Sequence, residues 1–222
     1  MPKSGSTFVE PFAGRGNVFF AAAHFGLNFR RWHINDLETA KFFRTMLTHG
    51  GSIRVPERTK TRYDIAKVRF QHNDPRAILL EPYWTFSGGG YKSGCFGNTH
   101  NGVSRKGYQE ILRRGQELLK LTKAQITAVD WKETLTGLGS DAFVFLDPPY
   151  FGCDVRAYSN SLDFHNLIQI LSNAKFKWML TEYRQPMYTE AFGTPRAEFE
   201  VKLGCSRQLN GAPRHECVWT NY

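Results

Sequence analysis

The segment DAFVFLDPPY at residues 141–150 is the feature that most limits what this chain can fold into. Its five consecutive apolar residues, AFVFL, leave no polar face, and such runs are typical of strands covered on both sides, as in parallel sheets. Asp147 then precedes two prolines, which cannot continue a central strand. We therefore predict a buried strand that ends at an acid, in a parallel sheet with helices on both faces.

Other segments alternate between strand and helix in the same way. STFVEPFAGRGNVFFAAAHFG predicts a strand at 7–9, a glycine turn and a helix, and FRRWHINDLE predicts a strand that ends near Asn35 and Asp36. QITAVDW predicts a further strand, and FKWMLTEY predicts a buried strand after a helix in SLDFHNLIQILSNA. This order predicts an α/β fold with a doubly wound, Rossmann-like sheet.

Residues 45–121 interrupt this alternation. They contain a basic cluster (RVPERTKTRYDIAKVRF), a glycine-rich aromatic loop (YWTFSGGGYKSGCFGN) and the basic amphipathic segment RKGYQEILRRGQELLKL, which predicts a helix. We predict a mostly helical insertion over 45–121 within one catalytic domain formed by 1–44 and 122–222.

The charge balance favours a polyanionic partner. The chain has 29 basic and 20 acidic residues, a formal net charge of +9, which favours nucleic acid through Coulomb attraction and counterion release. A merely basic soluble protein fits this charge equally well. Since no apolar stretch is long enough to span a bilayer and the four cysteines and seven histidines lack metal-ligand spacing, we expect a cytoplasmic protein without membrane or metal partners.

A glycine turn after the first predicted strand is a candidate for ligand binding. In EPFAGRGN, Gly14 and Gly16 permit positive φ and let a ligand approach the backbone closely. The third glycine of the dinucleotide fingerprint is absent, which disfavours a pyrophosphate site and with it a dehydrogenase. Asp36, about twenty residues on, can accept hydrogen bonds from ribose hydroxyls. The alternative role is to cap a helix starting at Leu37, and one carboxylate can serve both roles.

Two further residues at a predicted strand end, Asp130 and Trp131, form the third candidate segment, VDW. Asp130 can accept a hydrogen bond from an adenine amino group, and Trp131 can cover a purine, although burial in the core explains a tryptophan as well. The candidate segments meet only if the sheet places their strand ends side by side, where open α/β sheets bind ligands.

The tetrapeptide Asp147, Pro148, Pro149 and Tyr150 is the most specific motif. Its prolines stiffen the chain, so the Asp147 carboxylate and the Pro148 carbonyl can point at one spot beside Tyr150. Two acceptors there suit an amino group on an aromatic ring, because they hold its hydrogens and favour a pyramidal nitrogen whose lone pair can attack. Tyr150 can stack on a base that has left a duplex. A rigid junction with a chance acid is the alternative.

At these motifs the chain resembles the Dam-like DNA adenine-N6 methyltransferases. FVEPFAGRGNVF looks like the first motif of that family, INDLETAKFFRTM like its acidic strand end and helix, and VDWKETL and FVFLDPPY like its later cofactor and catalytic motifs. YWTFSGGGYKSGCFGN is similar to part of its target-recognition insertion, and HECVWTNY to its final strand. The order of cofactor motif, insertion and DPPY is also that of the family.

The resemblance implies an AdoMet-dependent methyltransferase fold, with S-adenosyl-L-methionine as methyl donor and a flipped adenine of double-stranded DNA as acceptor. It implies a set of residues on the methionine side of the cofactor: Glu10, Phe12, Ala13, Gly14, Gly16 and Asn17. Asp36 would bind the ribose, and Asp130 and Trp131 the cofactor adenine. In the catalytic tetrapeptide, Asp147 would lie at the cofactor and, with the Pro148 carbonyl, hold the target amino group, while Tyr150 stacks on the base.

Basic residues of the insertion are the predicted DNA contacts, with a solvated surface as the alternative: Lys92, Arg105, Lys106, Arg113 and Arg114. Members of the resembled family usually begin with a further segment whose aromatic and lysine close over the cofactor. Here only MPKSGS precedes the first strand, so we expect a monomer or weak dimer to which a partner chain supplies that segment.

Three other functions stay open on the sequence alone. Methylation of cytosine N4 or of RNA adenine would use the same acceptor pair, and a catalytically silent subunit would keep only nucleic-acid binding. The sequence gives neither a recognition sequence nor a biological role, which could be restriction-modification, phage evasion of defence or regulation.

Overall fold

The computed structural model describes residues 1–85, 91, 96, 103–151, 162–201 and 214–222. The chain divides into two compact units. The first unit comprises Met1–Asp36 and Val129–Tyr222, and the second comprises Leu37–Ala128. The predicted insertion, 45–121, falls within the second unit, and the predicted DNA contact Lys92 lies outside the described residues.

The described residues form seven strands: β1 (Ser4–Glu10), β2 (Asn28–Asn35), β3 (Gln125–Thr127), β4 (Phe143–Leu146), β5 (Lys177–Tyr183), β6 (Ala197–Val201) and β7 (Arg214–Thr220). They also form seven α-helices: α1 (Asn17–His24), α2 (Ala40–His49), α3 (Lys60–Gln71), α4 (Pro75–Trp84), α5 (Arg105–Thr122), α6 (Phe164–Ser172) and α7 (Pro186–Phe192). A short 3-10 helix spans Trp131–Leu135. Among these described elements, no helix is long and apolar enough to cross a membrane.

The six strands of the first unit lie in the order β2-β1-β4-β5-β7-β6. β2, β1, β4 and β5 are parallel, whereas β7 runs antiparallel to both β5 and β6. β2 pairs with one edge of β1, and β4, which comes later in the chain, pairs with the other edge. The strand order therefore reverses between β1 and β4. The predicted Rossmann-like α/β fold is confirmed, and this reversal is where such sheets bind ligands, beyond the carboxyl ends of the strands.

Both faces of β4 are covered, as its apolar run predicts. On one face Val144 and Leu146 are fully buried in a cluster with Leu167 and Leu171 of α6. On the other face the Phe143 ring packs against the Phe8 ring of β1, with the ring centroids 5.8 Å apart. This burial fixes β4 in the middle of the sheet and holds its carboxyl end at the reversal point.

The second unit is mostly helical, with α2 packed on α4 and α5, and α3 packed on α4. The predicted basic helix is α5, which begins after Ser104, whose hydroxyl accepts a hydrogen bond from the Gly107 N–H at 3.0 Å. The strand predicted in QITAVDW is shorter than expected, because after β3 Asp130 instead begins the 3-10 helix.

Candidate active site

The glycine turn after β1 is held by a buried acid. Glu10 is the last residue of β1 and is 2% exposed, and its Oε2 accepts the Phe19 N–H in the first turn of α1 at 2.9 Å. Gly14 and Gly16 have φ values of +51° and +72°, a left-handed conformation that glycine adopts without the strain of a side chain. Since Gly16 has no side chain to cap α1, the carboxylate of Glu10 serves the start of that helix.

Burial raises the pKa of Glu10 from 4.5 to about 8, and the negative charges of Asp147 and Asp36 add to this rise, while the hydrogen bond from Phe19 opposes it. Three carboxyl groups from the ends of β1, β2 and β4 therefore influence one region. Such a concentration of acids favours a cationic ligand and disfavours an anionic pyrophosphate.

Hydrogen bonds of the last residue of β2 and the residue after it connect the glycine turn to the VDW segment. The Asn35 side chain donates to the Pro11 carbonyl at 3.0 Å and to the Val129 carbonyl at 3.1 Å, and its Oδ1 accepts the Val129 N–H at 3.0 Å. The next residue, Asp36, accepts the Gly14 N–H on Oδ2 at 2.9 Å. The glycine turn, the end of β2 and the VDW segment thus meet, as the sequence analysis required of a shared site.

The alternative role of Asp36, capping a helix that starts at Leu37, is wrong. The helix that follows, α2, begins at Ala40 with Thr39 as its N-cap residue. The carboxylate of Asp36 bonds to the glycine turn instead, because Gly14 presents an N–H within reach.

Asp130 and Trp131 take different positions. Asp130 is exposed, and its Oδ1 accepts the Lys132 N–H at 2.9 Å, which caps the 3-10 helix. Trp131 is 8% exposed and belongs to the hydrophobic core, with its ring 5.8 Å from that of Phe12. A cofactor role for both stays a prediction, and the core packing noted as the alternative for Trp131 is present.

The DPPY tetrapeptide begins where β4 ends. Asp147 is exposed, and the Thr181 hydroxyl donates to its Oδ1 at 2.7 Å. The same hydroxyl lies 3.3 Å from the carbonyl oxygen of Leu146. The Thr181 hydroxyl therefore fixes one carboxylate oxygen of Asp147. The Tyr150 side chain also hydrogen-bonds to Asp147, so the carboxylate is held in place beside the Tyr150 ring.

Tyr150 is half-buried, and its ring meets the Tyr183 ring edge-on, with centroids 4.6 Å apart and an interplanar angle of 80°. Burial, and then the negative charge of Asp147, raise the pKa of Tyr150 above its ordinary value of 10. The phenol is therefore neutral at physiological pH, so Tyr150 offers an aromatic surface rather than a base.

Glu182 of β5 is a site residue that the sequence analysis missed. It is fully buried, and its two carboxylate oxygens accept the Phe151 N–H at 3.2 and 3.0 Å. Its Oε1 also accepts the Tyr183 N–H at 2.7 Å, and its Oε2 the Tyr188 hydroxyl at 3.3 Å. Burial raises the pKa of Glu182 to about 7. The carboxyl group thereby fastens the residue that directly follows the tetrapeptide.

A signal for this residue was present in the sequence. In FKWMLTEY, two polar residues follow an apolar run at the carboxyl end of a predicted parallel strand, the position at which such sheets carry functional side chains. In the described part of the chain, no group of three or more His, Cys, Asp or Glu side chains could hold a metal ion.

The predicted DNA contacts of α5 differ in their surroundings. Arg105 and Lys106 are exposed in its first turn. Arg113 forms ion pairs with Glu110 and Glu117 on the same helix. These pairs engage the charge of Arg113 locally, and DNA binding by the α5 residues stays a prediction.

Comparisons with known proteins add little. No protein-family model and no curated protein matches the chain. Two structures of the rRNA methyltransferase aviRa from Streptomyces viridochromogenes align with 98% of this chain and 77% of that chain, at 13% identity and a TM-score of 0.42. A similarity this distant supports no argument about substrate or chemistry, so the function has to be inferred from the site.

Proposed function

We propose that this chain is a methyltransferase that transfers a methyl group from S-adenosyl-L-methionine to the N6 amino group of adenine in double-stranded DNA. The position of Asp147 is the observation that carries the proposal. Asp147 directly follows β4 at the reversal of the strand order, and Thr181 holds one of its carboxylate oxygens. The negative charge of Asp147 also raises the pKa of Glu10, which lies at the end of the neighbouring strand β1.

The residues after β1 fit a cationic sulfonium cofactor. Glu10 is a buried acid with a raised pKa, and a positive charge beside it would stabilise its carboxylate. At Gly14 a Cβ atom would meet nothing within 4 Å, so the turn is open to a ligand. Asp36 follows β2, where a carboxylate suits ribose hydroxyls. When bound, this cofactor supplies an electrophilic methyl group.

The tetrapeptide supplies what a weak amino nucleophile needs. In an aromatic amine the nitrogen lone pair is delocalised into the ring, so the Asp147 carboxylate and the Pro148 carbonyl would accept its two hydrogens and favour a pyramidal nitrogen. Formation of the new N–C bond would break the bond between the methyl group and the sulfonium sulfur, leaving a neutral thioether. The nitrogen would lose a proton, which the Asp147 carboxylate could accept. Tyr150, neutral and half-buried, would stack on the extruded base.

The distribution of charge supports a nucleic-acid substrate. The second unit contains 16 of the 29 basic residues and only 7 of the 20 acidic residues, while the first unit contains 13 of each. The whole formal excess of +9 therefore lies in residues 37–128. A neutral unit with the acidic site and a separate basic unit suit an enzyme that binds a polyanion but reacts at a neutral base.

The test is methyl transfer from tritiated cofactor into duplex DNA of varied sequence. We expect wild-type protein to label DNA and Asp147→Asn, which keeps the shape and removes the charge, to lose at least about 100-fold in rate at saturating cofactor. Glu190→Gln removes an exposed acid of α7 and is the matched control, expected to keep full activity. Folded wild-type protein that binds cofactor but labels no DNA would refute the proposal.

A further inference from the structure

One face of α3 anchors this helix in the second unit. In α3, all of whose residues are described, Tyr63 and Ala66 are the buried residues. The Tyr63 ring lies 5.7 Å from the Tyr91 ring, and the Phe70 ring lies 5.1 Å from it. These aromatic contacts and the packing of α3 on α4 fix the orientation of the helix, and hence which side chains point outward.

The outward face has an apolar centre. A ridge of exposed side chains runs along this face, with successive spacings of four, three and four residues: Thr61, Ile65, Val68 and the C-cap residue His72. Ile65 is 49% exposed and Val68 is 58% exposed. Burial in the core explains neither residue, because the core-facing side is that of Tyr63 and Ala66.

Basic residues flank this ridge on both sides. Lys60 and Lys67 lie along one side and Arg62 and Arg69 along the other; each pair is seven residues apart, about 10 Å along the axis. Lys60 forms an ion pair with Asp64. Lys67 and Arg69 are exposed, and neither side chain has a hydrogen-bond or ion-pair partner among the described residues.

The dimensions of α3 suit the major groove of B-form DNA. A helix with its side chains is about 10–12 Å wide, and that groove is about 12 Å wide, so cations on the two flanks can reach the phosphates of both strands. The apolar ridge would then face the base edges, where aliphatic side chains contact thymine methyl groups. The major groove of A-form RNA is too deep and narrow for this contact, and two aliphatic residues are a small face for a lipid surface.

We infer that α3 is the helix of this chain that enters the major groove of duplex DNA, with Ile65 and Val68 on the base edges and Lys67 and Arg69 on the phosphates. The inference rests on the proposed function, since it names the surface that holds the proposed substrate. It also favours α3 over α5, on which the predicted contact Arg113 is engaged by two glutamates.

The phosphate contacts are tested by the salt dependence of binding to a fluorescein-labelled DNA duplex of randomised sequence, measured by anisotropy on the full chain. For Lys67→Ala/Arg69→Ala we expect the slope of log K against log salt to become shallower by about 1.8, because each lost contact removes about 0.9. Affinity at about 0.1 M salt should fall at least about tenfold. Lys175→Ala/Lys177→Ala removes two exposed charges of the first unit and should leave the slope unchanged.

The base contacts are tested by selecting bound sequences from the same randomised pool. Ile65→Ala/Val68→Ala should lose preference at positions where wild-type protein selects thymine, while the salt slope stays as in wild type. Ile111→Ala is the matched control, because Ile111 on α5 is also 49% exposed. An unchanged preference in the α3 variant would overturn the role of these two residues.

The outcomes separate this inference from the proposed function. If wild-type protein methylates DNA and the Lys67/Arg69 variant binds the duplex with unchanged slope and affinity, the inference is wrong and the function stands. If that variant loses DNA binding as expected but wild type transfers no methyl group, the function is wrong and the inference stands. Equal competition by duplex RNA or by phosphatidylserine vesicles would overturn the inference, and no binding of duplex DNA by wild type would overturn both.

Discussion

Glu10 should make the ligand-free protein less stable as the pH rises. Its carboxyl group is 2% exposed, and burial raises its pKa from 4.5 to about 8. Between these pH values the folded protein keeps a proton that the unfolded chain releases, so stability falls with increasing pH. Below about pH 4.5 both states are protonated and the effect vanishes; above about pH 8 it is complete.

The size of the effect follows from the pKa shift. A shift from 4.5 to about 8 corresponds to a loss of about 5 kcal/mol in the free energy of unfolding, since each pKa unit is worth about 1.4 kcal/mol. Glu182 contributes a smaller loss, about 3–4 kcal/mol, most of which is complete at its pKa of about 7. Between about pH 7 and pH 8, Glu10 therefore accounts for most of the pH-dependent loss in the free energy of unfolding from these two acids, about 1 kcal/mol.

Glu10→Gln removes the ionisable group and keeps an oxygen that can accept the Phe19 N–H. We expect the variant to lack this pH-dependent loss and to be more stable than wild type at about pH 8 by several kcal/mol, on the order of the full shift. Urea unfolding over this pH range, followed by tryptophan fluorescence, measures the difference. Four of the five tryptophans lie in the first unit, so the signal reports mainly on the unit that contains Glu10.

Glu190→Gln is the control, because it removes an exposed acid from the same unit and should leave the pH dependence of stability as in wild type. Parallel curves of stability against pH for wild type and Glu10→Gln would refute the reasoning. Such a result would mean that Glu10 ionises as freely in the folded protein as in the unfolded chain.

Three other substitutions test the site. Thr181→Val removes the hydroxyl that orients Asp147 and should lower kcat about 10–100-fold in steady-state methylation assays; cofactor affinity by calorimetry should be unchanged, and Thr181→Ser should restore the rate. At about pH 5, where the folded protein keeps Glu182 protonated, Glu182→Ala removes the buried acceptor of the Phe151 N–H and should lower the free energy of unfolding in urea by about 3 kcal/mol; an unchanged value would contradict its anchoring role. Gly16→Ala forces a side chain into a left-handed conformation and should cost about 1–2 kcal/mol, seen as a lower thermal midpoint.

Much of the sheet could be predicted because its signals are local. The run FVFL indicates a strand buried on both faces, and β4 is buried at all four positions. The glycine pair of EPFAGRGN indicates a turn with positive φ, and both glycines adopt it. In each case the residues near in sequence carry the information, either as an apolar pattern or as a backbone conformation that few residues tolerate.

The partners of the site residues depend instead on strand register. Leu146 pairs with Leu180 across β4 and β5, and this pairing brings Thr181 beside Asp147. No local pattern gives that register, so Thr181 and Glu182 were missed although their segment was recognised as a strand. The hydrogen bond from the Gly14 N–H to Asp36 has no local signal for the same reason, since the two residues are 22 positions apart.

The central claim is most directly tested by identifying the methylated nucleoside. Duplex DNA would be incubated with wild-type protein and cofactor bearing a deuterated methyl group, digested to nucleosides and analysed by mass spectrometry. The account predicts labelled N6-methyladenine that is lost with Asp147→Asn. Label on another nucleoside, or equal label with both proteins, would contradict it.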